Sequence, residues 1–262
     1  MLNTMLSQGD GRTKLVLFVP LGFPDWAKSR ELIDTLIAAG ADGLELGFPF
    51  SADFLEGQAI SDANAISIRN GYTLDEGFAF LAELRKAYPD FPLAVSSFYD
   101  PVARIGPAKF AETFKELDLS LLVCDATPDQ VKEWLDISGK LGVGSAFLVT
   151  PNTDMDRIVE ISKSCSDFMY VAAAKGLCGT TTKENNVQYD FFLEVAKRVD
   201  TPIIGGFGIN SQERALEVGR CCNGIAVGSA VLERVMNAPS FQEGKEQVFA
   251  FVSGLAACLR GD

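Results

Sequence analysis

Glu45 is an acid set between Leu44 and Leu46 in a short apolar run, Gly43–Leu46. A carboxylate there points either into a cavity or between packed layers. Between apolar layers it is costly unless paired. Facing a cavity, partial burial raises its pKa and makes it a candidate general acid or base. Glu56 follows in a polar segment, Ser51–Gly57, where the ordinary reading is a solvated loop carboxylate. Asp125 stands just past another apolar run and serves either chemistry or a turn. Tyr170, within Phe168–Val171, either offers its hydroxyl to a substrate or fills a core. Lys175 is a possible Schiff-base lysine, but it adjoins Gly176 in a polar stretch where a solvated lysine is the plain expectation. Two glycine-rich segments complete the set: Gly205-Gly206-Phe207-Gly208 and Gly228-Ser229-Ala230. Glycine lets backbone N–H groups approach a phosphate, and a short helix opening near Ser229 would add the positive end of its dipole. Together these residues point to acid–base work on a phosphate ester.

The elements that must position them alternate from end to end. Apolar, β-branched-rich runs occur at Lys14–Pro20, Gly43–Leu46, Leu93–Ser97, Ser120–Cys124, Val143–Val149, Phe168–Val171, Pro202–Gly205 and Gly224–Val227. Helical patterns separate them. One spans Asp25 to Gly40, with Leu32, Ile33, Leu36 and Ile37 on one face. Thr73-x-x-Glu76 reads as a capping box opening a helix to Ala87. Further helices are expected at Pro107–Glu116, from Thr127-Pro128, and over Asp154–Ser164, Tyr189–Val199, Ser211–Gly219 and Phe241–Leu259. Short strands apolar on both faces are what parallel strands covered by helices require. No linker or low-complexity segment divides the chain, so the expectation is a single (β/α)₈ TIM-barrel domain over residues 1–262. An open doubly wound sheet is the runner-up, but the first turn, Leu21-Gly22-Phe23-Pro24, lacks the GxGxxG it would want. In a barrel the glycine segments fall at the ends of strands seven and eight, where such folds often hold phosphate.

Composition removes several function classes. The 262 residues carry a formal charge of −12, which repels phosphate backbones and anionic membranes, and no Lys/Arg run offsets it. Neither a nucleic acid nor a membrane is an expected partner. There is no histidine, so imidazole bases and His-ligated zinc are excluded. The six cysteines form no CxxC pair and read as small buried hydrophobes in a reducing cytosol. Met1–Lys14 is short and polar without a signal-type apolar stretch, and no run approaches the ~20 apolar residues of a membrane span. A cytoplasmic protein is expected.

The segment Gly43-Leu-Glu-Leu-Gly-Phe-Pro-Phe-Ser51 resembles the signature of the tryptophan synthase α subunit family. Phe98-Tyr-Asp-Pro101, Asp125, Pro202–Ile209 and Gly224–Ala230 line up with that family in order and spacing, and the resemblance runs from about Leu15 to Val235. The resemblance implies retro-aldol cleavage of indole-3-glycerol phosphate to indole and glyceraldehyde 3-phosphate, without metal or organic cofactor. It implies Glu45 as the acid/base and Glu56 as the second carboxylate, facing the indole nitrogen. It places Tyr170 near the substrate, and Gly179, Gly208, Gly228 and Ser229 at the phosphate. It also implies a tryptophan synthase β chain as partner, in an αββα assembly.

The chain departs from the family pattern in places that matter. The family usually reads PFSDPxADG, and here the segment is PFSADFLEG, so Glu56 replaces an aspartate and is longer by a methylene. A misplacement of ~1 Å can cost about a hundredfold. Asp100 stands where asparagine is common, and the usual GVTG is Gly176-Leu177-Cys178-Gly179 in a polar stretch long enough to form a lid. Three functions remain open at this point: an α subunit working with a β chain, a stand-alone lyase for this or another phosphate ester, and a catalytically weak subunit that activates a β chain.

Overall fold

The computed structural model describes residues 2–7, 11–50, 57–172, 185–206 and 208–261. In chain order the elements are α1 (Leu2–Ser7), β1 (Lys14–Pro20), α2 (Trp26–Ala38), β2 (Gly43–Gly47), α3 (Gln58–Arg69), α4 (Leu74–Ala87) and β3 (Leu93–Ser97). Then come α5 (Tyr99–Ile105), α6 (Pro107–Glu116), β4 (Ser120–Val123), α7 (Lys132–Leu141), β5 (Ser145–Val149), α8 (Met155–Ser162) and β6 (Met169–Ala172). The chain continues with α9 (Asn185–Ala196), β7 (Ile203–Gly206), α10 (Gln212–Gly219), β8 (Gly224–Val227), α11 (Ser229–Asn237) and α12 (Phe241–Arg260). The eight strands pair in sequence order, all parallel, and β8 returns to β1 to close the ring. This is the (β/α)₈ barrel that the alternating runs predict.

Local signals explain the helix starts. The Asp25 carboxylate accepts the Lys28 N–H at 2.9 Å and caps α2. Thr73, Ser211 and Ser240 do the same for α4, α10 and α12. One start differs from expectation. Thr127-Pro128 opens only a 3₁₀ turn, Pro128–Gln130, and α7 begins two residues later at Lys132. The capping box is made, with the Thr127 N–H donating to Gln130 Oε1 at 2.8 Å, but it caps the turn.

Alternation along the strands divides the core in two. Leu15, Leu17, Leu44, Leu46, Val95, Leu121, Phe147, Val171 and Ile225 point outward and pack under the helices. Val16, Ala94, Leu122, Ala146, Ile204 and Ala226 point inward. The inner cluster is closed at its base by α1, whose Leu2, Met5 and Leu6 are buried against it. The Asn3 backbone N–H donates to Asp167 Oδ1 at 2.5 Å and fixes that plug to the start of β6. Another basal fastening is Arg85, whose guanidinium donates to the carbonyls of Tyr88, Pro89, Phe91, Leu117 and Asp118. It joins the end of α4 to the end of α6. Among the described residues, no helix is long and apolar enough to cross a membrane.

Candidate active site

The inward residues change character toward the C-terminal ends of the strands. Most strand residues are fully buried, but Phe18, Leu148 and Tyr170 keep partial exposure, as does Cys124 just past β4. By strand alternation they share the inward face with Val16, Leu122, Ala146 and Phe168. Glu45 belongs to this interior. Its neighbours Leu44 and Leu46 lie in the outward cluster, while its register partners are the inward Phe18 on β1 and Ala94 on β3. The carboxylate therefore faces the barrel rather than the strand–helix layer, and only 7% of the residue is exposed. This settles the orientation that the Leu-Glu-Leu pattern leaves open.

Glycines make room for the two aromatic rings of the mouth. A Cβ on Gly47 would lie 2.8 Å from Phe18 Cε2, and one on Gly228 would lie 3.0 Å from Phe18 Cδ1. The Phe18 ring thus spans from β2 to the end of β8, beside Glu45. Tyr170 lies over Gly206 of the adjacent β7 in the same manner. Phe18 is absent from the sequence-level candidates. Its signal is the parity it shares with Glu45 across the β1–β2 pairing, and that becomes legible only with the register.

Three of the four phosphate candidates, Gly208, Gly228 and Ser229, follow the ends of the neighbouring strands β7 and β8. Gly208 follows β7 with φ +63°, in the left-handed region that glycine enters without strain, and a Cβ there would meet nothing within 4 Å. Gly228 precedes the first turn of α11, and its carbonyl accepts the N–H groups of Val231 and Leu232 at 2.8 and 3.1 Å. Ser229 is the first residue of that helix, so its N–H belongs to the unsatisfied first turn. Glu56, Gly179, Lys175 and Cys178 lie outside the described residues.

Asp125 has a positioning task. Its Oδ1 accepts the Tyr99 N–H at 2.8 Å, at the first residue of α5. Partial desolvation pushes its carboxyl pKa up, against that hydrogen bond and with a further upward push from Asp100. The neighbouring Phe98 packs against Phe50 with the rings tilted by 31° and 4.5 Å between centroids, just before the segment that contains Glu56. Among the described residues, no group of three or more His, Cys, Asp and Glu side chains is placed to hold a metal ion.

Solved structures resemble the chain over nearly its full length. A chain from Aquifex aeolicus VF5 matches with a TM-score of 0.86 at 25% identity, covering 98% of both chains. A mutant tryptophan synthase alpha-subunit from Pyrococcus furiosus matches at 26% identity and TM-score 0.83, covering 93% of this chain and 98% of that one. Tryptophan synthase of Mycobacterium tuberculosis shares the fold, with a TM-score of 0.88 at 24% identity over 99% and 98% of the two chains. The family model described as tryptophan synthase alpha chain matches residues 5–259. The chain belongs to the tryptophan synthase alpha chain family, lyases that cleave indole-3-glycerol phosphate.

Proposed function

We propose that the barrel mouth is the lyase site and that Glu45 moves the proton in the cleavage. The observation that carries this reading is the placement of Glu45, inward and nearly buried beside Phe18 at the accessible end of the barrel. The indole C3 accepts a proton, which places positive charge on the ring nitrogen. The hydroxyl on the adjoining glycerol carbon then loses its proton, the carbon–carbon bond breaks, and its electrons return to the ring. Indole and glyceraldehyde 3-phosphate leave. One carboxyl group that gives the first proton and takes the second leaves the proton count balanced.

The other residues take supporting roles. Glu56 faces the ring N–H while positive charge develops there. Tyr170 and Phe18 wall the substrate. Gly179, Gly208, Gly228 and Ser229 present N–H groups to the phosphate, with the dipole of α11 behind Ser229. The chain acts as one catalytic domain in the cytoplasm, with a small phosphate ester as substrate. Its protein partner is a tryptophan synthase β chain, a reading supported by the P. furiosus neighbour that is a tryptophan synthase complex.

The test is indole release from indole-3-glycerol phosphate by the purified protein, alone and with a β chain, beside Glu45→Gln. Release that falls by roughly 10²–10⁴ in the variant, with folding unchanged, supports the assignment. Equal rates in both proteins remove Glu45 from the chemistry. A rate that rises with the β chain supports the partnership, and a stand-alone lyase would be indifferent to it.

A further inference from the structure

Outside the barrel mouth the structure has a groove of about 400 Å³, lined on its apolar side by Phe23, Pro24, Ile66, Val235, Met236 and Phe241. Its walls come from the β1–α2 turn, α3, and the junction of α11 with α12. Three charged side chains complete the lining: Lys28, Arg69 and Asp62. Their existing partners differ. Lys28 Nζ is bridged to Asp25 at 2.8 Å, and Asp62 accepts from Gln58 Nε2 at 2.8 Å. Arg69 makes one long bond, from Nε to the Ala65 carbonyl at 3.4 Å, and no ion pair with any described residue. The two terminal nitrogens of its guanidinium are the groups with donors to offer.

We propose that this groove is a second ligand site, for a small apolar monocarboxylate. The volume lies within the range of small-molecule pockets. A planar guanidinium pairs with a carboxylate through two parallel N–H bonds, and Arg69 supplies it, since Lys28 on the same rim is already paired with Asp25. Asp62 sets the upper limit on charge, because it repels a dianion such as a phosphate monoester. The apolar body of the ligand covers Phe23, Ile66 and Met236. The site is distinct from the phosphate loops but is built on the same helix: Val235 and Met236 end α11, and Ser229 begins it. At 1.5 Å per residue the two ends are about 10 Å apart, so both sites can be filled at once.

The test is calorimetric titration of the full chain with octanoate, and with octanol as the uncharged control, with and without saturating glycerol 3-phosphate. Octanoate is expected to bind roughly tenfold more tightly than octanol, and Arg69→Gln to remove that advantage while leaving octanol binding as it was. Ile66→Trp fills the groove and is expected to abolish binding of both. Since Arg69 is exposed, its variant keeps the fold even where the tryptophan variant does not. No octanoate binding, equal affinity in Arg69→Gln, or exclusion of octanoate by glycerol 3-phosphate would overturn the proposal, the last by locating the acid in the barrel mouth.

Discussion

The hydroxyl of Tyr170 occupies the space that any side chain on Gly206 would need: a Cβ there would lie 1.9 Å from Tyr170 Oη and 2.3 Å from Cζ. The ring and the bare backbone are one fitted pair on adjacent strands. Gly206→Ala must therefore expel the ring or bend β7, at a cost of about 1–3 kcal/mol. In the double variant with Tyr170→Ala that clash is gone. The two changes are expected to be non-additive, with the double variant more stable than the sum predicts. Urea midpoints of the four proteins give the coupling, and strict additivity would mean that the ring has another place to go.

Arg85 should be irreplaceable by lysine. Five carbonyls from two helix ends receive its planar fork, and an ammonium has neither the reach nor the number of donors. Arg85→Lys is expected to lower stability by about 2 kcal/mol. Indole release at a temperature well below unfolding should be unaltered, because the fastening lies at helix ends away from the mouth. A fall in turnover at constant stability would contradict this.

The base of the barrel makes stability depend on pH. Asp167 is fully buried, and that burial raises its carboxyl pKa, while the nearby Ser120 hydroxyl and the hydrogen bond from the Asn3 N–H pull it down. The unfolded chain gives up this proton first, so as pH rises through the two pKa values the folded state binds more protons than the unfolded state. The contribution of Asp167 to stability is therefore fullest at acid pH and is lost as pH rises through the folded pKa. Asp167→Asn removes that dependence. The difference in urea midpoint between variant and parent should move in the variant's favour from about pH 4 to pH 7. A difference that is flat with pH would rule out the raised pKa.

Leu6 tests the plug itself. Its Cδ2 packs where a Cβ on Gly224 would lie, 2.8 Å away, at the first residue of β8. Leu6→Ala is expected to destabilise the protein by about 2–4 kcal/mol through the cavity it leaves. Hydrogen exchange should then rise first at the amides of β8 and β1. Exchange that rises instead at the mouth would show that α1 supports the barrel differently.

The strand–helix alternation was legible because the strands are short, mostly apolar runs and several helices carry their own caps, as at Asp25 and Thr73. What escaped the sequence had physical reasons. The buried face of α3 is Ala59, Ala63, Asn64 and Ser67, small or polar residues that leave no hydrophobic period to detect. The plug α1 has Leu2, Met5 and Leu6 at helical spacing, but six residues are too few to declare a helix, and what they cover is built from distant strands. In the site, the strand-end glycines and Ser229 could be found locally, since turn and helix-start chemistry is local. The direction of Glu45 and the presence of Phe18 beside it could not, because both depend on which residue of β1 faces which residue of β2.

The closed ring has a consequence for company as well as for chemistry. With β8 bonded to β1, no strand among the described residues offers an open row of N–H and C=O groups. A second chain cannot recruit this one by extending its sheet, the generic route to mispairing. Every association must be negotiated by side chains on helices and loops, so a partner is chosen by the identity of surface residues and can be changed by substituting them, while the barrel beneath stays as it is.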